Sequence, residues 1–157
     1  MTIPDAEALI PFESYPKDEK ALQQRAWIGG NCRLGYGKDY VKITGNRKCA
    51  YCGADLFDCY ERWLTMVLDH VVPISVCKKL NIISNGFCRS LANAVLACAA
   101  CNGFCNRYSA VDERRPETFQ EFIALRDRIF IKRRRGILDA RKKEEDCYNK
   151  QKALIHP

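Results

Sequence analysis

Apolar and polar positions along the chain mark out a short series of elements. Residues 1–16 carry Pro4, Pro11 and Pro16 among scattered apolar side chains, the pattern of an extended arm laid on a domain. From Lys17 to Ile28 the sequence predicts a helix, with Leu22 and Ala26 on one face and Gly29-Gly30 ending it. Tyr40 to Thr44 reads as a short strand, followed by the turn signal Gly45-Asn46. Trp63 to Val72, WLTMVLDHVV, is rich in β-branched and aromatic residues and closes at Pro73, which predicts a buried strand ending on Asp69 and His70. A polar connection with turn residues Ser84-Asn85-Gly86 leads to Asn93 and a second apolar strand, Ala94 to Ala97. Ala99 to Tyr108 has helical character. Thr118 to Arg135 is the clearest helix: Pro116 lies just upstream, and Phe119, Phe122, Ile123, Ile129 and Phe130 fall near helical spacing. It begins apolar and ends basic.

Composition narrows the class. A chain of 157 residues, 47% hydrophobic and 29% charged, has the makings of one globular domain and excludes wholesale disorder. The longest apolar run, Ala94 to Cys101, is eight residues, far below the roughly 20 of a membrane-spanning helix. Met1-Thr2-Ile3-Pro4-Asp5 shows neither a basic leader nor an apolar stretch of signal length, so the expected location is the cytosol. Ten cysteines in such a chain then point to metal or redox chemistry, since disulfides do not persist in a reducing compartment. Lys and Arg number 26 against 19 Asp and Glu, a net charge of +7. Between Arg126 and Lys143 nine basic residues (Arg126, Arg128, Lys132, Arg133, Arg134, Arg135, Arg141, Lys142, Lys143) stand against Asp127 and Asp139, so that window holds the whole excess.

Two Cys-x-x-Cys pairs, Cys49/Cys52 and Cys98/Cys101, can each wrap a knuckle around one ion, and together they supply four thiolates for a closed tetrahedral zinc site. Four cysteines leave no open position for a substrate, so the expected role of that zinc is structural. Between the pairs lies Leu68-Asp69-His70-Val71-Val72-Pro73. Asp69 is a hard oxygen ligand suited to Mg²⁺, and successive residues at a strand end project to different sides. One side chain can thus hold a metal while the other serves as a base on water.

With Asn93-Ala94-Val95-Leu96-Ala97-Cys98-Ala99-Ala100-Cys101-Asn102 the arrangement is complete. Cys-x-x-Cys, then Asp-His-x-x-Pro, then Asn-x-x-Leu-x-Cys-x-x-Cys-Asn closely resembles the zinc-containing HNH endonuclease family, from Cys49 to about Asn106. The resemblance implies His70 as general base, Asp69 as ligand of a catalytic Mg²⁺ or Mn²⁺, Asn93 as brace of the histidine loop, and Asn102 completing the catalytic metal site. It also implies Cys49, Cys52, Cys98 and Cys101 as structural zinc ligands. The implied fold is α+β, a small ββα-metal core of two antiparallel strands and a helix stapled by the four-cysteine zinc site. Around it the chain divides into an N-terminal arm and helix (1–48), the core with its zinc knuckles (49–110) and a basic helical extension (111–157).

The sequence departs from the family pattern in places. Many members carry a lysine soon after the last cysteine pair, where this chain reads Asn102-Gly103-Phe104-Cys105-Asn106; Arg107 is the expected substitute phosphate contact. Asn106 lies one helical turn from Asn102 and could share its role. The remaining cysteines, Cys32, Cys59, Cys77, Cys88, Cys105 and Cys147, are expected to be buried reduced thiols. Lys132, Arg133, Arg134, Arg135, Arg141, Lys142 and Lys143 are expected to face a DNA backbone. The resulting expectation is a metal-dependent endonuclease hydrolysing DNA phosphodiester bonds, leaving 5′ phosphate and 3′ hydroxyl ends, for which a homodimer would help in cutting both strands. The alternative is a zinc-stabilised DNA-binding module without catalysis. A thiol redox protein fits less well, because neither cysteine pair sits in a thioredoxin-like βαβ pattern.

Overall fold

Two short antiparallel strands carry the residues of chemical interest, and helices enclose them. The computed structural model describes residues 11–25, 33–82, 86–104, 108 and 113–155. Along the chain these form α1 (Glu19–Gln23), α2 (Arg33–Thr44), α3 (Tyr60–Leu64), β1 (Met66–His70), α4 (Ile74–Lys79), β2 (Ala94–Cys98), α5 (Ala99–Phe104) and α6 (Phe119–Ile155), with single 3₁₀ turns at Pro11–Ser14, Phe87–Arg89 and Leu91–Asn93. β1 and β2 pair in register from Met66 opposite Cys98 to His70 opposite Ala94. Ala94, Val95, Leu96 and Ala97 are wholly buried, so β2 is covered on both faces and reads as a continuous apolar run instead of an alternation. α5 leaves the end of β2 directly and packs against both strands and against α6. The architecture is therefore mixed, helices around a two-stranded antiparallel sheet.

Several predicted elements take a different form. Tyr40–Thr44 is the last turn of α2 and not a strand. Tyr40 and Thr44 are both buried one turn apart, Thr44 Oγ1 donates to the Tyr40 carbonyl at 2.8 Å, and Gly45 ends the helix at φ 70°. Trp63 and Leu64 belong to α3, where the Trp63 amide donates to the Cys59 carbonyl and its ring stacks 6.3 Å from Tyr60, so β1 starts only at Met66. The first helix is confined to Glu19–Gln23, capped by Asp18, and Arg25 has already turned extended to bridge Ser90; Ala26 to Ile28 lie outside the described residues. α5 is described to Phe104, and Arg107, Asn106 and Cys105 also lie outside the described residues.

α6 runs 37 residues to Ile155, well beyond Arg135, about 55 Å at 1.5 Å per residue. No proline interrupts it, and its first five turns are fixed by a buried stripe of Phe119, Phe122, Leu125, Ile129, Phe130 and Ile137. The arm contributes to the same core: Phe12 meets Phe130 edge-on at 5.5 Å, and the buried Tyr15 hydroxyl donates to the Ala94 carbonyl. Residues 1–10 of the arm lie outside the described residues.

Among the described residues, the cysteines outside the two pairs are not the buried thiols expected. Cys77 of α4 and Cys88 of the Phe87–Arg89 turn are buried but joined as a disulfide, while Cys59 and Cys147 are exposed. Chain topology explains the pairing: the connection from β1 to β2 folds back so that residues 11 apart in sequence stand 6.4 Å apart at Cα. Cys32 lies outside the described residues.

Phe130 links arm, sheet and helix, since its ring also stacks on Tyr51 at 5.6 Å. Phe130→Ala should cost about 3–5 kcal/mol in urea unfolding, the range for removing a large buried aromatic side chain; a loss under about 1 kcal/mol would show that the helix is not seated there.

Candidate functional site

The two cysteine pairs meet. Cys49, Cys52, Cys98 and Cys101 bring their sulfurs within 4.8 Å of one another, with Cys49 and Cys101 buried and the other two half-buried. The first knuckle is shaped by backbone bonds from Cys49 to the Ala54 carbonyl and from Gly53 to the Cys49 carbonyl, with Gly53 at φ 75°, and it is tied to β2 by the Ala50 amide on the Leu96 carbonyl. The second pair straddles the junction of β2 and α5. The Cys98 amide points at Cys49 Sγ (3.4 Å) and the Cys101 amide at Cys98 Sγ (3.5 Å), donors that stabilise sulfur carrying negative charge. Hydrogen bonds from Cys101 and Cys49 pull the Cys52 and Cys98 thiols down, while Cys49 and Cys101, which hold the shared protons, are pushed up. All four residues supply sulfur, the donor set of a closed zinc site. The cluster is therefore fit to hold a metal ion such as zinc.

Asp69 and His70 stand at the far end of β1, opposite Val95 and Ala94. Asn93, wholly buried, precedes β2 and clamps the chain just beyond the histidine. Its Oδ1 accepts from the Val72 amide at 2.8 Å, while its Nδ2 donates to the carbonyls of Val72 (3.0 Å) and Cys88 (2.9 Å). The Asn93 carbonyl also accepts from the Val71 amide. Burial pushes the half-buried His70 imidazole below its usual value; Asp69 opposes this, while Arg89 and Arg133 reinforce it. The balance favours a neutral ring at pH 7, the form that can accept a proton. Asn102 is half-buried in α5, the helix packed against β1.

Only part of the basic window faces outward as expected. At 100° per residue, Arg126, Arg133, Arg134 and Arg141 fall on the apolar side of α6, and Arg128, Arg135 and Lys142 on the opposite side. Arg126 lies 3.6 Å over the Phe12 ring and donates to the Ala92 carbonyl. Arg133, 3% exposed, donates from Nη1 to the carbonyls of His70 and Val71, both at 2.8 Å, and pairs through Nη2 with Asp69 Oδ2 at 2.9 Å. Arg134, 1% exposed, donates to the Tyr51 carbonyl, and the half-buried Arg141 reaches Cys101 Sγ at 3.6 Å. Arg133 and Arg134 are thus interior residues that cannot meet a DNA backbone. Lys132, Arg135, Lys142 and Lys143 are at least partly exposed, with Lys132 paired to Glu113.

Two residues hold positions in the site that the sequence does not reveal, Tyr51 and Arg133. Tyr51 sits inside the first knuckle, yet its hydroxyl donates to Asp69 Oδ2, so one side chain connects the cysteine cluster to the strand end. Arg133 comes from 63 positions beyond His70 and holds Asp69 and both following carbonyls. A helical projection of residues 119–141 would have placed Arg133 among the phenylalanines, whereas a linear charge count hides it.

Breaking a buried ion pair on one side strands the other charge. Arg133→Met should therefore cost about 3–5 kcal/mol of stability, and its loss combined with Asp69→Asn should fall short of additive by more than about 1 kcal/mol in a denaturation cycle; strict additivity would mean the two side chains do not interact. Comparison with family models, with curated proteins and with solved structures gives no match to this chain.

Proposed function

We propose that the protein is a metal-dependent endonuclease of HNH type that hydrolyses DNA phosphodiester bonds. The observation that carries this reading is the arrangement of Asp69, His70 and Asn93: a carboxylate and an imidazole adjacent at a strand end, with a buried asparagine whose side chain makes two hydrogen bonds to Val72 just beyond them and a third to the Cys88 carbonyl. Precise positioning of a base relative to a bound water is what such a clamp supplies. His70 would take the proton of the attacking water, and its partly buried site keeps the ring neutral for that task. Arg133 and Tyr51 both hold Oδ2 of Asp69, so Oδ1 would be the oxygen that takes the metal. A bound Mg²⁺ or Mn²⁺, held by Asp69 and Asn102, would supply Lewis-acid stabilisation of the negative charge developing on the phosphoryl group and the departing 3′ oxygen. The four cysteines would hold a structural zinc that fixes α5, and with it Asn102, against the sheet.

Contact with DNA falls to the outer face of α6. Arg135, Lys142 and Lys143 are exposed and lie away from the core-facing arginines, so the proposed phosphate surface is smaller than the net charge suggests. A second reading, a zinc-stabilised DNA-binding module without catalysis, draws support from the Asp69–Arg133 pair, since a carboxylate engaged in this way also serves a structural purpose.

Incubation of the purified protein with supercoiled plasmid separates the two. The expected result is nicking that requires added Mg²⁺ or Mn²⁺ and falls by about 10²–10⁴-fold in His70→Ala, the usual worth of a general base, with DNA binding retained. Binding without any metal-dependent cleavage would establish the module reading instead. On the same DNA, changing Arg135, Lys142 and Lys143 together to Ala should flatten the plot of log affinity against log salt by up to about 0.9 per lost phosphate contact. An unchanged slope would remove this face of α6 from the interface.

A further inference from the structure

A zinc ion bound by four thiolates carries a net charge of −2, and enclosing such a charge in a protein requires compensation. Part of it comes from backbone amides, those of Cys98 and Cys101 aimed at cysteine sulfurs. The rest is in α6. Arg134 and Arg141 lie seven positions apart, two helical turns, and share the side of the helix that faces the cluster. Arg141 Nη1 reaches Cys101 Sγ at 3.6 Å, on the second cysteine pair. Arg134, fully enclosed, donates to the carbonyl of Tyr51 between the two cysteines of the first knuckle. Between them the two guanidiniums meet both knuckles, Arg141 at a sulfur of the second and Arg134 at the backbone of the first.

We propose that Arg134 and Arg141 are the counter-cations of the metal–thiolate centre, so that metal occupancy and the seating of the α6 helix on the core form one equilibrium. Two positive charges balance the −2 of the tetrathiolate complex. Arg133 is adjacent on the same helix and holds Asp69 and the His70 carbonyl, so the seating of α6 is transmitted to the strand end. This inference rests on the cysteine cluster binding metal, and not on the nuclease activity.

The test uses the full chain loaded with zinc and challenged with an excess of a chromogenic chelator. Arg141→Ala is the working variant, because Arg141 is only half-buried and its loss leaves the apolar stripe intact. Zinc release from Arg141→Ala should be at least about tenfold faster than from the parent, Arg141→Lys should recover much of the difference, and Arg135→Ala on the opposite face should behave as the parent. Hydrogen exchange supplies a readout free of activity: stripping zinc from the parent should raise exchange across residues 133–145, and zinc-loaded Arg141→Ala should show part of that rise. Release at the parent rate from Arg141→Ala overturns the proposal, as does equal acceleration by Arg135→Ala. A parent protein that carries no zinc overturns the metal reading and this inference together; a zinc-bearing parent with an insensitive Arg141 overturns this inference alone.

Discussion

Arg133 is the residue on which the arrangement turns. A guanidinium with 3% exposure must be given acceptors, and it receives Asp69, the His70 carbonyl and the Val71 carbonyl. Those acceptors lie at the end of β1, so satisfying the arginine fixes the helix, the strand end and the Asp69 side chain relative to one another. Asn93 performs the complementary task from the start of β2, holding the backbone one step further along. The pair Asp69–His70 is thus braced from both sides by groups that cannot relax without leaving a buried polar atom unsatisfied.

Tyr51 joins this centre to the cysteine cluster. Its hydroxyl is on Asp69, its carbonyl takes Arg134, and its ring stacks on Phe130 of α6. A residue placed between two cysteines of the cluster therefore feels both the sulfurs beneath it and the carboxylate beyond it. Metal binding at the knuckles would in this way order the strand end without any ligand shared between the two places. α6 runs along both, contributing an arginine to each.

Some of this is legible in the sequence, for physical reasons. The cysteine pairs can be recognised because metal knuckles impose a fixed local spacing that does not depend on the rest of the fold. β2 and the start of α5 are visible as an apolar run followed by a cysteine pair, and Asp69, His70 and Asn93 fall where a strand pairing joins them. Tyr40–Thr44 reads as a strand because β-branched and aromatic residues suit one by propensity, and only their burial one turn apart, against Tyr15, makes them helical. The disulfide between Cys77 and Cys88 depends on how a connection folds back, which spacing does not encode. The arginines mislead for a different reason: a charge count sums along the chain, whereas the helix divides charge by angle. Nine basic residues in one window suggest a single surface, yet the helix turns Arg126, Arg133 and Arg134 into the core.

The proposed function calls for two separate metal positions, a sulfur site at the four cysteines and a carboxylate site at Asp69. Anomalous diffraction from crystals grown with Mn²⁺, recorded at the zinc and manganese absorption edges, tests this most directly. The expected result is a zinc peak bonded to the sulfurs of Cys49, Cys52, Cys98 and Cys101 and a distinct manganese peak at the Asp69 carboxylate. An empty sulfur site, or manganese found elsewhere with none at Asp69, would contradict it.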